Sequence, residues 1–66
     1  MSLRTFSEWL ATAPASKLEI ERSRLNQWLG LPGSELWADQ YAENKQRHAA
    51  IAREIRRRKA RMEQAA

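Results

Sequence analysis

The sequence predicts an all-α fold: a helical hairpin with a long C-terminal helix and a short N-terminal helix, assembled as a dimer. Three observations point there. No Gly or Pro follows Gly33, and the residues beyond it are dominated by Ala, Arg, Glu, Gln and Lys, all good helix formers. Within that stretch Trp37, Tyr41, Asn44, His48, Ile51, Ile55 and Met62 keep a rhythm of three and four, the signature of a helix–helix seam. Finally, Pro14 and the link Gly30-Leu31-Pro32-Gly33 cut the rest of the chain into two shorter segments.

Each element has its own punctuation. Thr5 followed by Glu8 has the pattern of a capping box, which opens a helix over about 6–13 that Pro14 ends. Its apolar stripe is Phe6, Trp9, Leu10 and Ala13. A second capping-box pattern, Ser16 and Glu19, opens a helix over about 17–29, closed by Gly30 in a left-handed cap with Pro32 beyond it. This helix presents Leu18, Leu25, Trp28 and Leu29 on one side, and Ile20 on the other, where the first helix is expected to cover it. Ser34 is the expected N-cap of a third helix over about 35–64, whose first turns carry Glu35, Asp39 and Glu43 as the helix dipole favours. At 1.5 Å per residue the third helix would run roughly 45 Å and the middle one about 20 Å. On that arithmetic the long helix lacks an intrachain partner from about His48 onward.

Length and charge bound what the chain can be. Sixty-six residues form a single domain, 1–66, with a small core, the size range in which oligomerisation often supplies missing burial. There is no cysteine, so disulfides and thiolate metal sites are excluded. Nothing in the sequence resembles a signal peptide or a membrane span, and a cytoplasmic protein is expected. The net charge of +4 conceals an asymmetry. Residues 1–44 hold four Lys/Arg against six acids, whereas residues 45–66 hold eight against two. A mildly acidic front and a basic back suit antiparallel self-association or an anionic partner.

Catalysis has no candidate residues. His48 is the single histidine, and there is no Gly-rich phosphate loop and no paired metal-ligand spacing, so no catalytic, cofactor or metal residue is assigned. Inside the apolar stripe His48 reads as a packing residue, or as a pH-sensitive seam position. Asn44, polar within the same stripe, would select one register by meeting a partner amide, or else bond solvent at the edge. Of the three tryptophans, Trp9 and Trp28 fall on core stripes. Trp37, beside Leu36 just after the link, is the best candidate for an interface anchor.

The run from Arg53 to Arg61 is the sharpest functional signal. With Ile55 at zero on a helical wheel, Arg53, Arg56, Arg57 and Arg61 fall between about 100° and 240°, away from the seam. Such a row can contact phosphates, pair with acidic side chains of another protein, or simply keep the helix solvated. In composition the run resembles the arginine-rich helices with which some phage antiterminators grip RNA hairpins, a resemblance that implies nucleic-acid binding. A helix-turn-helix over Leu25–Tyr41 fits badly, since Asn26 occupies the position of close helix approach and acids crowd the start of the second helix.

These readings converge on a small non-enzymatic protein that docks on a larger protein with an acidic or apolar surface and modulates it, as compact phage antagonists do. The seam Trp37, Tyr41, Asn44, His48, Ile51, Ile55 and Met62 would form the homodimer or partner contact. Arg53, Arg56, Arg57 and Arg61 would face an anionic partner. The alternatives are a nucleic-acid-binding protein using the basic helix, and a structural coiled-coil assembly module. No cofactor, membrane or small-molecule substrate is expected.

Overall fold

A computed structural model describes residues 3–65, with side chains from Thr5 to Gln64. Helix α1 spans Leu3–Thr12, α2 spans Ala15–Leu29, a single 3-10 turn covers Ser34–Leu36, and α3 runs Ala38–Ala65. No strand occurs among the described residues. The overall extents are 45 × 24 × 15 Å, and the long axis matches the roughly 42 Å expected of a 28-residue helix.

The helices begin and end by different means from those the sequence suggests. α1 already includes Thr5, so Thr5 is not its N-cap. α2 starts at Ala15 behind Pro14, whose φ of −65° and ψ of 155° set the entry and whose carbonyl accepts the Lys17 and Leu18 N–H groups; Ser16 lies inside the helix. A proline fits the edge of a helix because it has no N–H to satisfy. Gly30 is right-handed, at φ −87°, and its N–H donates to the Asn26 carbonyl at 3.1 Å. The left-handed residue is Gly33, at φ 84°. Ser34 is not the cap of the third helix either. Its Oγ reaches back and donates to the Leu29 carbonyl at 3.1 Å, satisfying an orphan acceptor at the end of α2. Trp37, at φ −100° and ψ 67°, interrupts the helical path, and α3 therefore begins at Ala38 instead of 35.

α2 and α3 lie side by side along most of their length. Trp28, near the link, meets Tyr41 with ring centroids 6.4 Å apart. Arg22 and Asn26 share a recess with His48 and Ala52, while Ala15 and Leu18 share a groove with Ile55 and Met62. Partners along α3 thus advance as those along α2 recede. The stretch from His48 to Arg58 is consequently covered on one side, contrary to the length arithmetic, whereas Lys59 to Gln64 are exposed. Ser34, the expected cap, and Glu35 and Leu36, the first residues of the expected third helix, form the 3-10 turn, and α1 folds back through the Ala13–Pro14 corner to cover a second flank.

The core follows from that arrangement. Leu18 and Ile51 are fully buried, Leu25 and Ala13 nearly so, and Phe6, Trp9, Leu10 and Ile55 pack around them. The stripes read from α1 and α2 are therefore those that meet. Ile20 is the exception: it is 58% exposed, because α1 crosses on the Leu18–Leu25 side and leaves the other face of α2 open.

With so small a core, each central side chain carries a large share of the stability. Leu18→Ala and Ile51→Ala are each expected to lower the unfolding free energy by about 2–5 kcal/mol in a denaturant titration. Ile20→Ala, at an exposed position, should stay within about 0.5 kcal/mol of the parent.

Candidate functional site

The arginine run divides into two groups of different character. Arg57 is engaged: its Nε donates to Glu54 Oε1 at 2.7 Å and to Oε2 at 3.0 Å, and its Nη2 donates to Oε2 at 2.8 Å. A carboxylate one helical turn away thus occupies one edge of its guanidinium, while the side chain stays 59% exposed. Arg58 turns inward. Its Nη1 donates to the Ala13 carbonyl at 2.6 Å and its Nη2 to the Leu10 carbonyl at 3.0 Å, with Ala11 at 3.4 Å. These are the unpaired carbonyls at the C-terminus of α1, where a cation is favoured by both hydrogen bonding and the helix dipole. The sequence signal was available: position 58 continues the three-four rhythm between Ile55 and Met62, so an arginine stands on the seam itself.

Glu54 lies beneath both guanidiniums and is buried, with 8% of its surface exposed. Arg58 Nε stands 3.7 Å from its Oε2. Hydrogen bonds from Arg57 hold the Glu54 carboxyl below its ordinary range, against the opposing effect of burial, with the positive charges of Arg57 and Arg58 adding to the lowering. The same contact raises the Arg57 pKa. Nearby, Arg47 pairs with Glu43 and lays its guanidinium over the Phe6 ring, 5.6 Å from the centroid, which ties α3 to α1 a second time.

By contrast, Arg53, Arg56 and Arg61 are exposed, as are Lys45 and Lys59, and none of these five makes an ion pair or hydrogen bond among the described residues.

The predicted seam is used mostly inside the single chain. Ile51 has no exposed surface, Ile55 packs on the core, and Tyr41 meets Trp28 with the ring planes tilted by 43°. Asn44 is 6% exposed, and its Oδ1 accepts from Gln40 Nε2 at 3.1 Å, one turn earlier on the same helix. His48 is half-buried beside Arg22 and Asn26. Only the two ends of the seam remain available, Trp37 at 70% exposure and Met62 at 72%.

Around Trp37 the structure assembles an apolar tip. Leu36 is 83% exposed and Leu31 is 55% exposed, so three large apolar side chains project from one short link. That link is well tied. Leu31 N–H donates to Trp28, Ser34 N–H to Leu31, Leu36 N–H to Gly33 and Trp37 N–H to Ser34, all at 3.0–3.2 Å. The tip residues are thus presented on an ordered turn. At the opposite end, Met62 borders an open groove of about 430 Å³ with Ala15, Leu18 and Ile55.

Comparison of the chain with protein-family models, with curated proteins and with solved structures finds no match. No helix among the described residues is long and apolar enough to cross a membrane.

The Glu54 cluster makes acid sensitivity a direct readout. A carboxyl whose folded-state pKa is depressed contributes stability that is complete above its unfolded value and is lost as pH falls through the folded value. The ordinary value here is 4.5. The melting temperature should therefore fall on acidification below that point, and Glu54→Gln should start lower at neutral pH and fall less, as followed by circular dichroism. Arg58→Ala should speed amide exchange across α1 while the α2–α3 core stays protected.

Proposed function

We propose that this chain is a small non-enzymatic protein-binding module that acts in the cytoplasm by docking on a larger protein and modulating it, most simply by occluding a surface. The observation that carries this reading is the apolar tip. Leu31, Leu36 and Trp37 project into solvent although the hydrophobic effect favours burying each of them. A chain with so few core residues gains nothing for its own folding from leaving an indole outside. Trp and adjacent aliphatic side chains are the usual anchors of protein interfaces, where the indole fills a pocket and its N–H finds an acceptor. The rim fits as well, for Glu35 and Asp39 flank the anchors with exposed polar groups.

The reading includes self-association. With Ile51 closed inside the chain, a second copy has the other end available, where Met62 and the groove beside Ala15 and Ile55 are open. An antiparallel homodimer of two such helical hairpins brings the basic end of one copy toward Glu35 and Asp39 of the other.

Two measurements test these statements. In extract pretreated with nuclease, the cross-linked wild-type chain should capture a protein partner that Trp37→Ala releases, with an affinity loss of about 30-fold if Trp37 is a hot spot. Unchanged capture by a normally folded Trp37→Ala, Leu36→Ser variant would sink the docking role of the tip. Sedimentation at micromolar concentration should give a dimer that Met62→Glu converts to a monomer, and a wild-type monomer there rules the dimer out.

A further inference from the structure

The fold sorts charge in a way that the linear sequence does not reveal. Glu21, Glu43 and Glu54 all lie toward the α1 flank, where they pair with Arg24, Arg47 and Arg57 respectively. The other flank of the α2–α3 pair carries more cations than acids, the acids being Glu19, one turn before Arg22 on α2, and Glu63, at about 80° two turns beyond Arg56. On a wheel with Ile55 at zero, Ala52, Lys45, Arg56 and Arg53 fall at about 60°, 80°, 100° and 160° of α3. α2 supplies one more cation there. Arg22 stands across from Ala52, in a solvent-open recess of about 350 Å³ that it lines with Ser23, Asn26 and His48. Arg22, Lys45, Arg53 and Arg56 have no ion-pair partner among the described residues.

From this arrangement we infer that the Arg22, Lys45, Arg53 and Arg56 face binds the phosphate backbone of double-stranded DNA, a second function beyond protein docking at the tip. The cations follow a line: from Lys45 to Arg56 the rise along α3 is about 16 Å. Because a strand winds around the duplex as it advances, a straight line of this length spans only a few successive phosphates. At the level of Ala52, about 10 Å along α3 from Lys45, Arg22 adds a cation from α2. Ala49 and Ala52 leave no bulk between the cations, so a backbone can approach closely. Ser23, Asn26 and His48 add hydroxyl, amide and ring N–H donors, the groups that accompany Arg and Lys on phosphate oxygens.

Other anionic partners fit this face less well. A protein interface needs a desolvated apolar centre, and the largest apolar side chains here are alanines. Single strands are gripped by stacking bases on aromatic rings, and the face carries none apart from the half-buried imidazole of His48. α2 lies beside α3 along the whole line, so the pair sits across the backbone and does not insert one helix into the groove. Binding without sequence preference follows.

The test is a fluorescence-anisotropy titration of the full chain against a 20-base-pair DNA duplex at 50 and 200 mM salt. With four phosphate contacts the affinity should fall about 100-fold over that range, and Lys45→Ala, Arg56→Ala should reduce the fall to about 10-fold. Arg61→Ala, on the far side at about 240°, should leave the salt dependence unchanged although it removes the same charge. Circular dichroism confirms that each variant is folded. The inference is overturned if Arg61→Ala weakens the salt dependence as much as Arg56→Ala, which would indicate unspecific charge attraction. It is equally overturned if polyglutamate competes as well as DNA at equal charge, which would assign the face to an acidic protein. Preference for duplex RNA over duplex DNA would overturn the choice of nucleic acid.

Discussion

The guanidinium of Arg58 joins α1 to α3, and most of the remaining arrangement depends on it. α1 is only ten residues long and would be marginal alone. Its last carbonyls have no partners within the helix, and Pro14 prevents the chain from supplying the next N–H donor. Arg58 supplies donors from another helix, bonding to Leu10 and Ala13 from a position 45 or more residues away in sequence. This one contact ends α1, orients it across α3, and places Phe6, Trp9 and Leu10 over Leu18, Leu25 and Ile51. Without it the apolar stripe of α1 would lack a fixed angle of approach.

A cation in that position requires a counter-charge, and Glu54 provides it from one turn earlier. Glu54 in turn recruits Arg57, because positions three and four along a helix share a face. Burial opposes the charged carboxylate, but the bidentate fork of Arg57 and the proximity of Arg58 outweigh it, as the direction of the Glu54 shift shows. A buried ion cluster adds little stability relative to an apolar alternative, whereas removing one member leaves an uncompensated charge. Its contribution here is therefore mainly geometric. The cluster also settles which arginines remain for binding: those with carboxylate or carbonyl partners are fixed, and those on the opposite flank stay solvated.

Much of this was legible in the sequence, and the failures share a cause. The all-helical composition, the breaks at Pro14 and Gly30–Gly33, and the stripes Phe6-Trp9-Leu10-Ala13 and Leu18-Leu25 follow from local propensity and periodicity, which adjacent residues largely determine. The cap assignments failed because other local backbone geometry and contacts within the link replaced the expected ones. Ser34 bonds backward to Leu29, Gly33 takes the left-handed turn that Gly30 seemed built for, and Trp37 delays α3. Ile20 failed because the pattern of α2 does not say on which side α1 crosses; the Arg58 contact decides that. The arginine row failed in part for a related reason. A wheel shows which side chains share a face, but it cannot show that Glu54 occupies Arg57 or that α2 brings Arg22 beside Ala52.

The tip and the cationic face are separated by the same rigid element, which bears on how they can work together. From Ala38, at the start of α3, to Arg56 the helix rises about 27 Å. Trp37 is held by the 3-10 turn and by the Ser34–Leu29 bond, and the face is held by the packing of α2 on α3, so neither surface must reorganise for the other to be occupied. Two ligands on a body without a shared mobile element bind independently unless they touch or repel each other directly. The acids beside the tip, Glu35 and Asp39, would repel a DNA backbone that strayed along α3 toward Trp37, which confines a polyanion to the distal part of the helix. A chain of this size can therefore hold a protein at one end and a nucleic acid along its side without competition, because its charge is sorted along α3 as well as around it.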